Sequence, residues 1–429
     1  MTTDELRAAA DELVVLHRRF APLFGRKEAR EHSLVYLRGL LSAEGRKSVE
    51  PMALVFGKAA ADPDEAQREV LAMQRFLTLS PWGVAAVQRE IQQVFLEQLV
   101  PSTSQWSLGT VGVLDESGFA KKGSESVGVA RQYCGRLGKV DNCQVGVFLV
   151  GVTPAGSALL DHELYLPKEW VKDRKRRKKT RVPKELKFRT KPVIAAELLR
   201  RTREAGVVRL DWVTADELYG QNGEFLDELE AMQQKYLVEV PVNTTVWTVD
   251  PAHEVPVYRG RGRPPGRSKQ DQVRSVRQIA DSLPGEAWRA IKLREGAAGP
   301  LVFEFAAVRM WAVRHRKPGP CVWLLIRRSL DANPEVKYYL SNGEETVALE
   351  TMALVSGCRW HVEEFLEEGK SYLGMAHYEA RSWTNWHHRM SLVSLAHLFV
   401  TVTRQRLKKN SGTHAGHGGA HAPQCTAAA

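Results

Sequence analysis

Apolar residues recur every three or four positions through 5–20, 33–41, 66–79 and 84–99. That spacing lets a helix bury one face. Strand-like runs are scarce there, so residues 1–105 are expected to form a helical N-terminal domain. Near residue 108 the period changes. The run 109–115, Gly-Thr-Val-Gly-Val-Leu-Asp, is apolar and β-branched and is closed by Glu-Ser-Gly. It reads as a buried strand ending in a turn. Runs 145–153 and 158–166 read as two more strands around Thr-Pro-Ala-Gly. Residues 191–205 read as a helix stopped by Gly206, 207–215 as a strand, 223–234 as a helix and 236–249 as a strand. The order β, β, β, α, β, α, β predicts an α/β layer protein with a mixed sheet.

Residues 251–344 are less regular, with strands expected at 301–311, 322–328 and 336–340. Helical spacing returns at 350–372 and 386–407. One core built from 106–250 and 345–408, split by a β-rich insertion at 251–344, accounts for this alternation. Residues 409–429 are of low complexity, and their composition predicts a disordered tail.

Two of the expected strands run into acids, Asp115 and Asp216. Sites in open α/β sheets assemble at such strand ends, although acids there also serve as turn formers and helix caps. A third carboxylate is sought in CRWHVEEFLEEGKSYLG, residues 358–374. With Arg359 at 0° on a helical wheel, Glu363 falls near about +40° and Lys370 near about +20°. Val362, Leu366 and Leu373 fall between about −20° and −60° and form the buried stripe. Glu363 then borders that stripe, while Glu364 and Glu368 are expected to face solvent. Three clustered carboxylates suit magnesium, which takes hard oxygen ligands and keeps several waters. Two such ions can clamp the attacking and leaving oxygens of a phosphoryl displacement.

Composition narrows the setting. Sixty-one Lys and Arg against 50 Asp and Glu leave a formal charge of +11, which favours a polyanionic partner. No apolar run is long enough to span a membrane. The N-terminus lacks the pattern of a secretory signal. Five cysteines without a Cys-x-x-Cys pair argue against a disulfide framework or structural zinc and fit a reducing cytoplasm. The chain has no phosphate-binding Walker loop and no Gly-x-Ser-x-Gly elbow, and His361-Val-Glu-Glu-Phe365 lacks the second histidine of a zinc protease.

VLDESGFAKKGSESVGVARQYCGRLGKVDNCQVGVFL (113–149) closely resembles the first-aspartate block of bacterial insertion-sequence transposases of the insertion sequence 701 type. DWVTADELYGQNGEFLDELE (211–230) resembles their second-aspartate block, and residues 357–400 resemble their glutamate block. The helical stretch 19–42 is similar as well. The resemblance implies an RNase H-like fold with a β-rich insertion before the last catalytic helix, and a DDE triad at Asp115, Asp216 and Glu363. It implies two Mg2+ ions, with Mn2+ as a substitute, on that triad. It also implies cleavage of transposon-end DNA, strand transfer into target DNA, and a homodimer acting on paired ends. Related enzymes carry Tyr, Arg, Glu and Lys around the glutamate. Arg359, Glu363 and Lys370 keep that spacing, and Ser356 stands where the tyrosine would be.

Double-stranded DNA is therefore the expected partner, met by phosphate contacts from Arg359, Lys370, Lys121 and Lys122. The dense cluster Arg174, Lys175, Arg176 and Arg177 is a second set, with a solvated loop as its plainer reading. Arg261 and Arg263 lie in an Arg-Gly-Arg-Pro core suited to a narrow minor groove. Trp383, Trp386, His387, His388 and Arg389 are assigned to packing. A catalytically silent or domesticated DNA-binding derivative, or a metal-dependent nuclease, is the alternative function. The expected location is the cytoplasm, at the nucleoid.

Overall fold

The computed structural model describes residues 3–43, 45–57, 62–101, 107–250, 260, 272–296, 299–379 and 381–414. Five helices open the chain: α1 (Thr3–Phe20), α2 (Lys27–Leu41), α3 (Val49–Phe56), α4 (Pro63–Thr78) and α5 (Val84–Leu99). Pro63 fits the first turn of α4, where its missing N–H is not needed, and Asp62 caps that helix. The short α3 lies outside the four expected helices.

Strands β1 (Val111–Ala120), β2 (Ala130–Cys134), β3 (Lys139–Thr153) and β4 (Gly156–Leu164) follow. Next come α6 (Lys168–Lys172), α7 (Arg174–Thr180), α8 (Lys191–Ala205), β5 (Trp212–Ala215), α9 (Glu217–Gly220), α10 (Gly223–Ala231) and β6 (Tyr236–Val240). In the sheet β1 is antiparallel to β3, and β3 to β4, while β5 and β6 run parallel to β1. The order β4-β3-β1-β5-β6 is that of an RNase H-like core. Helices α5, α8, α13 (Trp360–Ser371) and α14 (Trp383–His414) pack on β1, β3 and β4. The strands are almost continuously apolar because both faces are covered. Edge strand β4 is protected by α5: Gln88 and Gln92, one turn apart, donate from Nε2 to the carbonyls of Leu159 and Leu160 at 3.2 and 3.1 Å.

The sheet does not stop at β6. Strands β7 (Thr245–Trp247), β8 (Val273–Ser275), β9 (Arg289–Gly296), β10 (Gly299–Arg314), β11 (Lys317–Arg328) and β12 (Val336–Ser341) extend it. They pair as β6-β12-β11-β10-β7-β8, with β9 also on β10, giving 12 strands in one sheet among the described residues. A second apolar cluster, including Val246, Ile279, Val322 and Leu324, lies under these strands. Helix α11 (Val276–Asp281) closes over them through a capping box at Ser275.

Several boundaries differ from the sequence expectation. Strand β1 continues through Glu-Ser-Gly to Ala120 because its ladder with β3 continues, from Asp115 opposite Phe148 to Ala120 opposite Cys143. The expected strand 236–249 is broken into β6 and β7 by a turn at 241–244. The helix expected at 350–372 is two, α12 (Leu349–Gly357) and α13, separated at Cys358 and Arg359. Helix α14 runs through His414, so residues 409–414 of the expected tail are helical, and 415–429 lie outside the described residues. Among the described residues no helix is long and apolar enough to cross a membrane.

Candidate active site

The parallel pairing of β1 with β5 sets Leu114 opposite Ala215. The next residue on each strand is an aspartate, so Asp115 and Asp216 emerge side by side. Neighbouring strands are about 4.8 Å apart and paired positions share a face. Asp216 also caps α9, its Oδ1 accepting from the Leu218 N–H at 3.0 Å. The capping alternative and the site alternative therefore hold of the same residue.

Glu116 completes the cluster. Asp115, Glu116 and Asp216 each offer an oxygen, and these oxygens lie within 4.8 Å of one another. Glu116 accepts from Lys191 Nζ and from the Tyr219 hydroxyl, both at 2.9 Å. Burial pushes the Asp115 carboxyl up to about 7, with Arg359 opposing and Asp216 and Glu116 adding to the rise. Burial likewise raises Asp216 to about 6, helped by Glu116 and opposed by Arg359. Crowded, part-buried carboxylates of this kind gain most from a cation, and hard oxygen donors fit a divalent one.

Glu363 is not within that cluster. It sits on α13 with its side chain 60 % exposed and pairs with Arg359 Nη2 at 2.9 Å. Arg359 in turn stands 4.0 Å from Asp115 Oδ2 through Nη1 and 3.7 Å from Glu239 Oε2 through Nε. The third expected acid is thus one guanidinium away from the first. The wheel placed Val362, Leu366 and Leu373 correctly in the core. It misplaced Glu368, whose carboxylate is held by Arg404 at 2.6 Å and His397 at 3.3 Å of α14. A wheel built on one stripe has no place for a second helix against the opposite flank.

The cations divide into two groups. Lys370 donates to Ser117 Oγ at 2.5 Å, beside the acids on β1. Lys121 donates to the Tyr378 carbonyl at 2.9 Å and lies over that ring at 3.3 Å. Burial, then Arg389, lowers its ammonium to about 7. Arg176 stacks on Trp170 at 3.7 Å and donates to the Ser124 carbonyl. Arg177 donates to the carbonyls of Val171, Pro183, Lys184 and Leu186, so it braces the fold of its own loop. Lys122, Arg174 and Lys175 are exposed. Arg261 and Arg263 lie outside the described residues. The basic stretch is helical, as α6 and α7, with Asp173 capping the second. Trp386, His387, His388 and Arg389 are buried in packing.

Two acids escaped the sequence reading. Glu116 follows Asp115 directly, but strand alternation argues that neighbours face apart. Glu239 is a lone acid in the apolar strand Tyr-Leu-Val-Glu-Val; it is buried and pairs with Lys337 at 3.0 Å. An acid in a two-sided buried strand was the available signal.

The chain is 30 % identical over 249 residues to the "Probable transposase for insertion sequence element IS701" of Microchaete diplosiphon. The match covers 58 % of this chain and 58 % of that relative's length. A family profile described as DDE superfamily endonuclease matches residues 19–300, which contain Asp115, Glu116 and Asp216 and end before Glu363. That match takes in well over half of the 429 residues, and the chain belongs to the DDE superfamily of endonucleases.

Proposed function

We propose that the protein is a DDE transposase that cuts the DNA ends of its element and joins them to target DNA. The adjacency of Asp115 and Asp216 on parallel strands of an RNase H-like sheet carries this reading. The similarity to a probable insertion-sequence transposase supports the choice of transposase within the superfamily. Asp115, Asp216 and Glu363 are the proposed catalytic acids, and Mg2+ the proposed metal, two ions with Mn2+ as a substitute. Bound there, the metal would supply charge stabilisation to the attacking and leaving oxygens. Lys191 and Tyr219 fix Glu116, which keeps the acid cluster negative beside Asp115. Lys370 and Arg359 stand where a scissile phosphate would meet the acids, and cations there would orient it.

The remaining assignments follow from the same reading. Residues 1–105 would engage the element ends as a homodimer on paired DNA. Residues 106–250 and 345–408 would form the catalytic core and 251–344 its insertion. The protein would work at the nucleoid in the cytoplasm.

The test is a cleavage and strand-transfer assay on the DNA that flanks its own gene, with Mg2+. Asp115→Asn, Asp216→Asn and Glu363→Gln should each abolish both steps and leave most DNA binding intact. Glu364→Gln should be far milder. Cutting of unrelated DNA without joining would assign a nuclease, and binding without any cutting would assign a silent derivative.

A further inference from the structure

We propose that Arg359 is a resident counter-ion that holds Glu363 apart from the aspartates and releases it when a DNA phosphate takes the guanidinium. The inference rests on the acids being the metal site. Its ground is the ring of carboxylates around one cation: Glu363 at 2.9 Å, Glu239 at 3.7 Å and Asp115 at 4.0 Å. The three grips differ. Glu239 is buried and held by Lys337, so it anchors the guanidinium from the sheet. Nη1, facing Asp115, is buried and finds no hydrogen-bond partner among the described residues. Glu363 is the exposed partner, four residues along the same helix.

An exposed i,i+4 pair shifts a population only about twofold, so it is the grip that yields first. Arginine binds phosphate strongly through its N–H donors, and Nη2, turned to the exposed Glu363, is the donor a phosphate can reach. A phosphate on Nη2 displaces Glu363, while the buried Nη1 stays beside Asp115. Glu363, one guanidinium away from Asp115, is then free to turn toward it. DNA and metal would therefore each raise the affinity for the other, by the same factor.

Mn2+ binding to the full-length protein, read by the electron spin resonance of free Mn2+, tests this with and without a short blunt duplex. Wild type should bind Mn2+ about fivefold or more tightly once the duplex is present. Arg359→Gln should reach that affinity without DNA and show no further gain. Removing any nearby cation also helps a metal, so the decisive comparison is between two isoelectric double variants, Arg359→Gln/Glu363→Gln and Arg359→Gln/Glu364→Gln. Loss of the gain with Glu363→Gln and its persistence with Glu364→Gln supports release of Glu363; equal behaviour of the two overturns the proposal in favour of bulk charge. Arg359→Lys keeps the charge but cannot span the three acids, and should show part of the gain. Should Arg359→Gln fail to fold, Arg359→Lys decides: affinity unchanged from wild type overturns the proposal. Asp115→Asn reports on the underlying site. If it binds Mn2+ as wild type does, the metal assignment fails, whatever Arg359 does.

Discussion

Buried histidines give this protein an acid-sensitive side that its strand-end aspartates offset. Burial holds His162 down to about 3 and, with Arg38 adding, His17 down to about 4. An unfolded chain titrates its histidines near about 6.5. Below that pH the unfolded state takes up protons that the folded state refuses. The stability contributed by a neutral buried imidazole is therefore full above about 6.5 and lost as pH falls toward its folded value. Asp115 and Asp216, raised by burial, carry the opposite sign, so a raw melting curve against pH mixes the two. The difference between wild type and His162→Leu isolates one group. Between pH 6.5 and 5 wild type should lose ground to the variant by about 1.4 kcal/mol per pH unit at most. A difference that stays constant over that range would show that His162 is not held neutral. At this scale Asp115 and Asp216 were legible because each ends an apolar run. Arg359 was legible in its face and spacing but not in its partners. Glu239, which it meets, lies 120 positions earlier in the chain, and only the sheet brings the two together.

Among elements, the short helix α9 transmits packing to the site. Asp216 caps its start and Gly220 is its last residue. A Cβ on Gly220 would fall 1.9 Å from the Glu239 carbonyl, so α9 lies directly on β6. Gly220→Ala must push α9 off the strand, displacing Asp216 at one end and disturbing Glu239 at the other. Overpacking of this kind costs about 1–3 kcal/mol, or more where backbone must move. The variant should melt lower and bind Mn2+ more weakly. Gly206, which ends α8 at φ 67 with nothing near its missing Cβ, offers the contrast. Gly206→Asn should cost less than about 1 kcal/mol and leave Mn2+ binding alone. Similar losses from both would remove the close-approach argument. Gly206 was legible as a stop signal, and Gly220 was not, because its neighbour is on another strand. The long helices of the N-terminal region were legible for the same reason as Gly206: their apolar spacing is local. The break at Cys358 and Arg359 follows Gly357, a stop signal that was masked because helical spacing continues on both sides of it.

Over the whole molecule, a single sheet joins the RNase H-like core to the strands that follow it, and the surface charge decides where DNA can run. The formal charge of +11 is spread over many intramolecular pairs, so its sum locates nothing. Burial and partners do. On α7, Arg176 and Arg177 are committed to Trp170, Ser124 and four carbonyls, whereas Arg174, Lys175 and Lys178 are exposed along the helix. Lys179 ties the helix to Glu125 in the loop after β1 at 2.5 Å, so the cationic face is fixed to the strand that carries Asp115. A duplex held along α7 would release about 0.9 counterions per phosphate neutralised. Arg174→Ala/Lys175→Ala/Lys178→Ala should weaken binding to any duplex and flatten the plot of log affinity against log salt by up to roughly 2.7. Arg177→Ala should behave differently. It leaves four carbonyls without their donor, so it should lower the melting point of the loop and core more than it alters the salt slope. The sequence marked all these cations alike, since a run of like charge gives no account of which ones the fold consumes. Salt titrations of the triple variant that superimpose on wild type would move the DNA path away from α7. A salt slope changed as much by Arg177→Ala as by the triple variant would erase the division between bracing and binding cations.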